Sequence, residues 1–135
     1  MDKRLVNPDR LYDSSPFGMS QAVVHTAGPL VFVSGQVDWD HQYQVSHSSF
    51  PGQLEAALEN LRTALVAAGA SVGSLLHVRI YVRGELEDHM ESLVPILTRF
   101  LGDSRPAVTG IGVVSLASKA LLVEVEAVAI AEKAA

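Results

Sequence analysis

The run Ala120–Ala131, ALLVEVEAVAIA, sets Glu124 and Glu126 inside an otherwise apolar stretch, and no other segment restricts the fold as much. Side chains alternate faces along a strand, so Leu122, Glu124, Glu126, Val128 and Ile130 share one face while Val123, Val125, Ala127 and Ala129 share the other. The second face belongs to a core. On the first, two carboxylates stand roughly 7 Å apart, and ionised carboxylates are rarely left buried without partners. That face meets a polar cleft, a subunit boundary or paired donors. An active site is one way to use it; a half-covered sheet with both acids solvated at its rim is the other, and the strand alone weights the two equally.

A length of 135 residues suits one domain over residues 1–135, with residues 1–14 as a charged lead-in. The hydrophobic share of 48% is high for a small monomer and points to an oligomer that buries apolar area between subunits. A net charge of −5 without a Lys/Arg cluster argues against nucleic acid as a partner. The absence of cysteine excludes disulfide and thiolate chemistry. The opening MDKRLVNPDRLYDSS has no apolar segment behind its charges, and Ser14–Val37 is broken by Gly18, Gly28 and Pro29, so neither a secretory signal nor a membrane span is expected. The expected location is the cytoplasm.

Along the chain, Ser20–His25 and Leu30–Val37 read as two strands of a hairpin turned at Thr26-Ala27-Gly28-Pro29. Asp38–Phe50 lacks a clear period and reads as a surface excursion with a short edge strand at Tyr43–His47. From Gln53 to Ala68, Leu54, Ala57, Leu58, Leu61, Ala64, Leu65 and Ala68 recur at helical spacing; Ser49 is a fitting cap, Pro51 suits the first turn, and Gly69 a left-handed stop. Leu76–Arg83 alternates, with Leu76, Val78, Ile80 and Val82 inward and His77, Arg79, Tyr81 and Arg83 outward. Leu86–Leu101 has helical spacing interrupted by Pro95, which predicts either two short helices that part near Leu93 or one kinked helix. Ala107–Val114 and Leu121–Ala131 complete an α+β layer: one mixed sheet with two helices on one face.

The five histidines are scattered without metal-ligand spacing, so no metal is expected. Gly110-Ile111-Gly112 lacks the strand, turn and helix context of a nucleotide loop, and no serine sits in a nucleophile-elbow pattern. Five ordered segments nevertheless fall into one pattern: Ser20-Gln21-Ala22-Val23, Val33-Ser34-Gly35-Gln36-Val37, Ala57-Leu58-Glu59-Asn60-Leu61 with Ala68-Gly69, Arg105-Pro106-Ala107, and Glu124-Val125-Glu126-Ala127-Val128-Ala129. From about Ser15 to Ala131 the chain resembles the Rid family, also called YjgF or enamine/imine deaminase. The resemblance implies a chorismate-mutase-like fold, a homotrimer with a central barrel, and three clefts between subunits.

It also implies a chemistry: hydrolysis of small reactive enamines and imines to a keto acid and ammonia, without a cofactor. The family's catalytic arginine, which clamps a substrate carboxylate, falls on Val108, its cleft tyrosine on Met19, and a helix asparagine on Leu93. Three polar positions thus become apolar. A lost charged clamp costs several kcal/mol at about 1.5–3 per charged hydrogen bond, which disfavours the usual small imino acids. Ser34 and Glu124 remain, with Glu124 in the place of the glutamate that activates water and Glu126 as a structural partner. Substrate contacts are expected from Met19, Ser34, Gly35, Gln36, Val108, Thr109 and Arg105. Arg105, Arg79, Arg83 and Lys119 are the candidate substitute cations, although Arg79 and Arg83 also suit pairing with exposed acids; Trp39, His41 and Tyr43 border either the pocket or the trimer rim.

Two functions from different classes follow. One is a divergent Rid-type hydrolase with Glu124 as the base, acting on an imine, enamine or related small metabolite. The other is a non-catalytic trimer that binds a small molecule or stabilises a protein. The endoribonuclease activity that the family is also named for is the weakest of the three, since no basic stripe would hold RNA.

Overall fold

The computed structural model describes residues 2–132. Its strands are β1 (Lys3–Val6), β2 (Ala22–His25), β3 (Leu30–Gln36), β4 (Leu75–Arg83), β5 (Ala107–Val113) and β6 (Val123–Ile130), with helices α1 (Phe50–Ala67) and α2 (Met90–Leu101). Four strands form a mixed sheet in the order β3-β6-β4-β5, where only β4 and β5 run parallel. The α+β class, the mixed sheet and the two helices agree with the sequence reading.

The alternation in β6 decides how the layers pack. Val123, Val125, Ala127 and Ala129 are buried with Val78, Ile80 and Val82 of β4 and Leu54, Leu58, Leu61 and Leu65 of α1. Each fully buried aliphatic side chain of this kind contributes about 1.5–3 kcal/mol. The opposite face of β6 is half-buried from Leu122 to Val128, with both acids on it, and closes over only at Ile130.

Helix α1 begins and ends where its signals place it. Ser49 accepts a hydrogen bond from the Gly52 amide at 3.2 Å, Pro51 sits in the first turn, and Gly69 adopts φ +79 just beyond the end. In the second helical region the break falls before Met90 and not at Pro95: Leu86–His89 is a single 3-10 turn, and α2 runs through the proline. Pro95 is exposed, so the carbonyl that loses its partner faces water and the helix tolerates the ring.

Four expectations are corrected. The hairpin of Ser20–His25 with Leu30–Val37 does not form: β2 pairs with β1, and β3 pairs with β6. The turn explains why, because Gly28 (φ +95) is pressed against the end of β6, where an added Cβ would stand 2.6 Å from Ile130 Cγ2, and this delivers Leu30 opposite Ile130. The sheet is therefore not one but two, the second being the β1–β2 ribbon, and the charged lead-in holds a strand. No strand forms at Tyr43–His47. Instead the buried Asp38 carboxylate accepts from the Ser46 and His47 amides at 3.1 and 2.8 Å, which curls the segment into a loop. Finally, a register shift between Leu75 and His77 puts Leu75 inward in place of Leu76.

The ribbon is fastened by an unusual residue. Lys3 is buried, and its ammonium donates to the carbonyls of Leu75 and Ser104 at 2.8 and 2.7 Å and to the Ser104 hydroxyl at 3.1 Å. Burial pulls its pKa down to about 8, against a smaller opposing pull from Glu132.

Candidate functional site

Antiparallel pairing sets Glu126 opposite Arg79 and Glu124 opposite Tyr81 on the sheet face away from the helices. Glu126 takes both available donors: Arg79 bonds it at 3.1 Å, and the Tyr81 hydroxyl donates to the same oxygen. These bonds, the tyrosine's first, hold the Glu126 carboxyl below the usual carboxylate range. Glu124 receives no hydrogen bond from any described residue. Burial, and secondarily the charge of Glu126, push its pKa up. Two neighbouring acids are thus driven apart, the Glu126 carboxyl held down by its donors and the Glu124 carboxyl pushed up by burial.

The backbone of β3 is shaped around Glu124. Between Val33 and Gln36 the register shifts, because three steps along β3 match two along β6 and leave one extra residue in a bulge at Ser34-Gly35. Gly35 lies against the acid so closely that an added Cβ would stand 2.1 Å from Glu124 Oε2. A side chain there would have to push the Glu124 carboxyl aside. Ser34 is exposed, and its carbonyl accepts from the Gln36 side-chain amide at 3.1 Å. Thr109, opposite Arg79 on the β5 side, shares this outer face.

Met19 and Val108 lie elsewhere. They line a cavity of about 360 Å³ on the helix side of the sheet, walled by Ile80, by Met90, Leu93, Val94 and Leu97 of α2, by Tyr12 of the lead-in and by Phe17 of the short 3-10 turn Ser15–Phe17 that follows it. All three positions that the resemblance marks as polar-to-apolar changes, Met19, Leu93 and Val108, therefore converge in one apolar space. Arg105, with φ +48, lines an adjoining polar recess with Asp9, Asp13 and Met19. Asp13 is held low by the Ser15 hydroxyl and amide, with a contribution from the Arg105 charge.

Within one chain the expected site residues thus form two groups, Glu124 with Ser34, Gly35 and Thr109 outside, and Met19 with Val108 inside, with Arg105 beside the second, while the bulge sets Gln36 opposite the inward-facing Val125. Arg79 is engaged by Glu126 and the Arg83 guanidinium by the Lys119 carbonyl. Trp39 and Tyr43 pack edge to face at 5.6 Å and are not among the residues lining the apolar cavity. Among the described residues no cluster of His, Asp or Glu could hold a metal ion, and no helix is long and apolar enough to cross a membrane. Sequence reasoning missed Tyr81 as a carboxylate partner. Its outward placement was legible, but the register that sets it beside the acids was not.

The profile of the family described as Endoribonuclease L-PSP matches residues 14–131. A RutC family protein of Pyrococcus horikoshii is 30% identical over 114 residues, covering 84% of this chain and 86% of that one. The crystal structure of the Rid-family protein YyfB from Yersinia pestis superposes with a TM-score of 0.91 at 32% identity, covering 96% of this chain and 99% of that one. TdcF of E. coli, crystallised with bound serine, gives a TM-score of 0.66 at 25% identity over 82% of this chain and 86% of that one. With a family profile spanning nearly its whole length and the same fold in solved relatives, the chain belongs to the Endoribonuclease L-PSP family, the YjgF/Rid family of proteins.

Proposed function

We propose that the protein is a hydrolase of imines, enamines or related small carbon–nitrogen compounds, built as a homotrimer with its sites between subunits. The observation that carries this reading is the environment of Glu124, a half-buried carboxyl without a donor, raised in pKa and enclosed by the Gly35 bulge, while its neighbour Glu126 absorbs the nearby donors. Water adds to the C=N carbon as Glu124 takes its proton and passes it to the nitrogen; the carbinolamine then gives up its hydroxyl proton through the same carboxyl to the amine, the C–N bond breaks, and ammonia leaves a carbonyl behind. No cofactor enters this scheme.

Assembly is supported by the outer sheet face and its edge. Phe32 is 74% exposed and Val114 95%, and such apolar surface on a small domain calls for a partner. β3 and β5 are both edge strands of the four-stranded sheet. A neighbouring copy packed there would place Glu124 at a subunit boundary. Ammonia release from a panel of imines and enamines, compared between wild type and Glu124→Gln, tests the reading; equal rates would sink it.

Gly35 offers a second handle. Gly35→Ala forces Glu124 aside by more than an ångström, and displacement on that scale costs roughly 10²-fold in turnover. The substitution lies in an exposed bulge, so the melting temperature should hardly move. Unchanged turnover in this variant would mean that the position of Glu124 is irrelevant.

The apolar cavity also favours a second reading, a non-catalytic trimer that binds a small molecule or stabilises a protein. Melting shifts with ligand, without product, would favour it. RNA cleavage is not proposed, because the net charge of −5 and the engaged Arg79 leave the outer face without a basic stripe.

A further inference from the structure

The cavity beneath α2 has a composition that specifies what it can take. At about 360 Å³ it lies in the range of small-molecule sites, and its wall is made by Phe17, Met19, Met90, Leu93, Leu97 and Val108 with a few further uncharged residues. No charged side chain lines it. An apolar cavity of about 150 Å³ already accepts benzene, so this one has room for a ring bearing a short chain. Two methionines in the wall let it adapt to shape.

Among the described residues, the cations near the cavity are paired elsewhere or offset by neighbouring acids. Arg79 faces the other side of the sheet and pairs with Glu126. Arg83 donates to the Lys119 carbonyl. Arg105 lines the adjoining recess, which shares Tyr12 and Met19 with the cavity, but Asp9 and Asp13 line that recess too, two carboxylates that would repel an incoming anion. A carboxylate drawn against this apolar wall would therefore lose hydration without meeting a counter-charge, and a neutral group would not.

We infer that this cavity binds an uncharged aryl or alkyl group, so that the ligand of this protein is a neutral apolar molecule without a carboxylate. The inference deepens the hydrolase reading and rests on it for the reaction; in that setting the substrate is a neutral imine or enamine. The uptake itself does not require Glu124.

Titration calorimetry on the full chain with three probes of one skeleton, hydrocinnamamide, hydrocinnamate and phenylpropylammonium, tests it. The neutral amide should bind at least roughly tenfold more tightly than either ion. Met90→Trp, which fills the cavity, should abolish that binding with the circular dichroism spectrum unchanged. Val108→Arg should turn the preference toward hydrocinnamate. An ion bound as tightly as the amide, no uptake of any probe, amide binding that survives Met90→Trp, or an unaltered preference in folded Val108→Arg would each overturn the inference. Glu124→Gln separates it from the catalytic reading: ammonia release insensitive to that change, with amide uptake intact, overturns catalysis alone. Glu124-dependent release with a preference for the carboxylate overturns the neutral ligand alone.

Discussion

Replacing Glu124 by glutamine lowers ammonia release from an imine substrate by roughly 10²–10⁴-fold, the usual contribution of a positioned general base. Stability should not fall with it. The carboxyl forms no hydrogen bond with a described residue, and the amide relieves the repulsion from Glu126 that helps raise the native pKa. The pH profile supplies the sign. Glu124 keeps its proton to a higher pH than the ordinary 4.5, so the basic form fills late and the acid limb of the rate profile lies above 4.5. Glu126→Gln removes the smaller of the two causes and shifts that limb downward, while burial keeps it from returning all the way. A limb that stays in place after Glu126→Gln would show that another group controls the rate.

Lys3→Met costs about 2–3 kcal/mol of stability, read as a lower midpoint in chemical denaturation. Methionine keeps most of the volume but leaves the Leu75 and Ser104 carbonyls without the donor they have now, and each such loss is worth about 1–3 kcal/mol. The pH dependence runs in an unfamiliar direction. The native ammonium releases its proton near 8, whereas the unfolded lysine holds its own to the ordinary 10.5. Between those values the unfolded chain binds more protons, so stability due to Lys3 rises with pH across this window. Below about 8 both states are charged, and the full cost of burying the ammonium applies. The methionine variant should lose this rise. A variant as stable as wild type at neutral pH would mean that this cost cancels the three hydrogen bonds.

How far the sequence discloses such features depends on whether their cause is local. The two faces of β6 were legible because strand period is a property of the segment itself, and α1 was legible because Ser49, Pro51 and Gly69 act within a turn of its ends. Pairing is another matter. The four residues Thr26–Pro29 suit a hairpin, yet the choice between β2 and β6 as partner of β3 is made by contact of Gly28 with Ile130, about a hundred residues away in sequence. Lys3 was hidden for the same reason, since its three acceptors come from Leu75 and Ser104, and a lysine in a charged lead-in gives no sign of burial. At the candidate site, Glu124 and Glu126 were visible as a pair, but their different fates depend on Tyr81 and Arg79, which only the β4–β6 register brings near. The cavity escaped notice because its wall combines α2, two strands and the lead-in.

The position of β6 in the sheet also bears on how the chain acquires its structure during synthesis. β6 is the sixth strand to leave the ribosome, yet it lies between β3 and β4, which do not touch along their edges without it. Until it emerges, α1 has half a platform, and the nascent polypeptide carries two unmatched strand edges that invite association with other chains. Folding of the sheet is thereby deferred until β6 has emerged, and chaperone demand should be concentrated in the interval before it does.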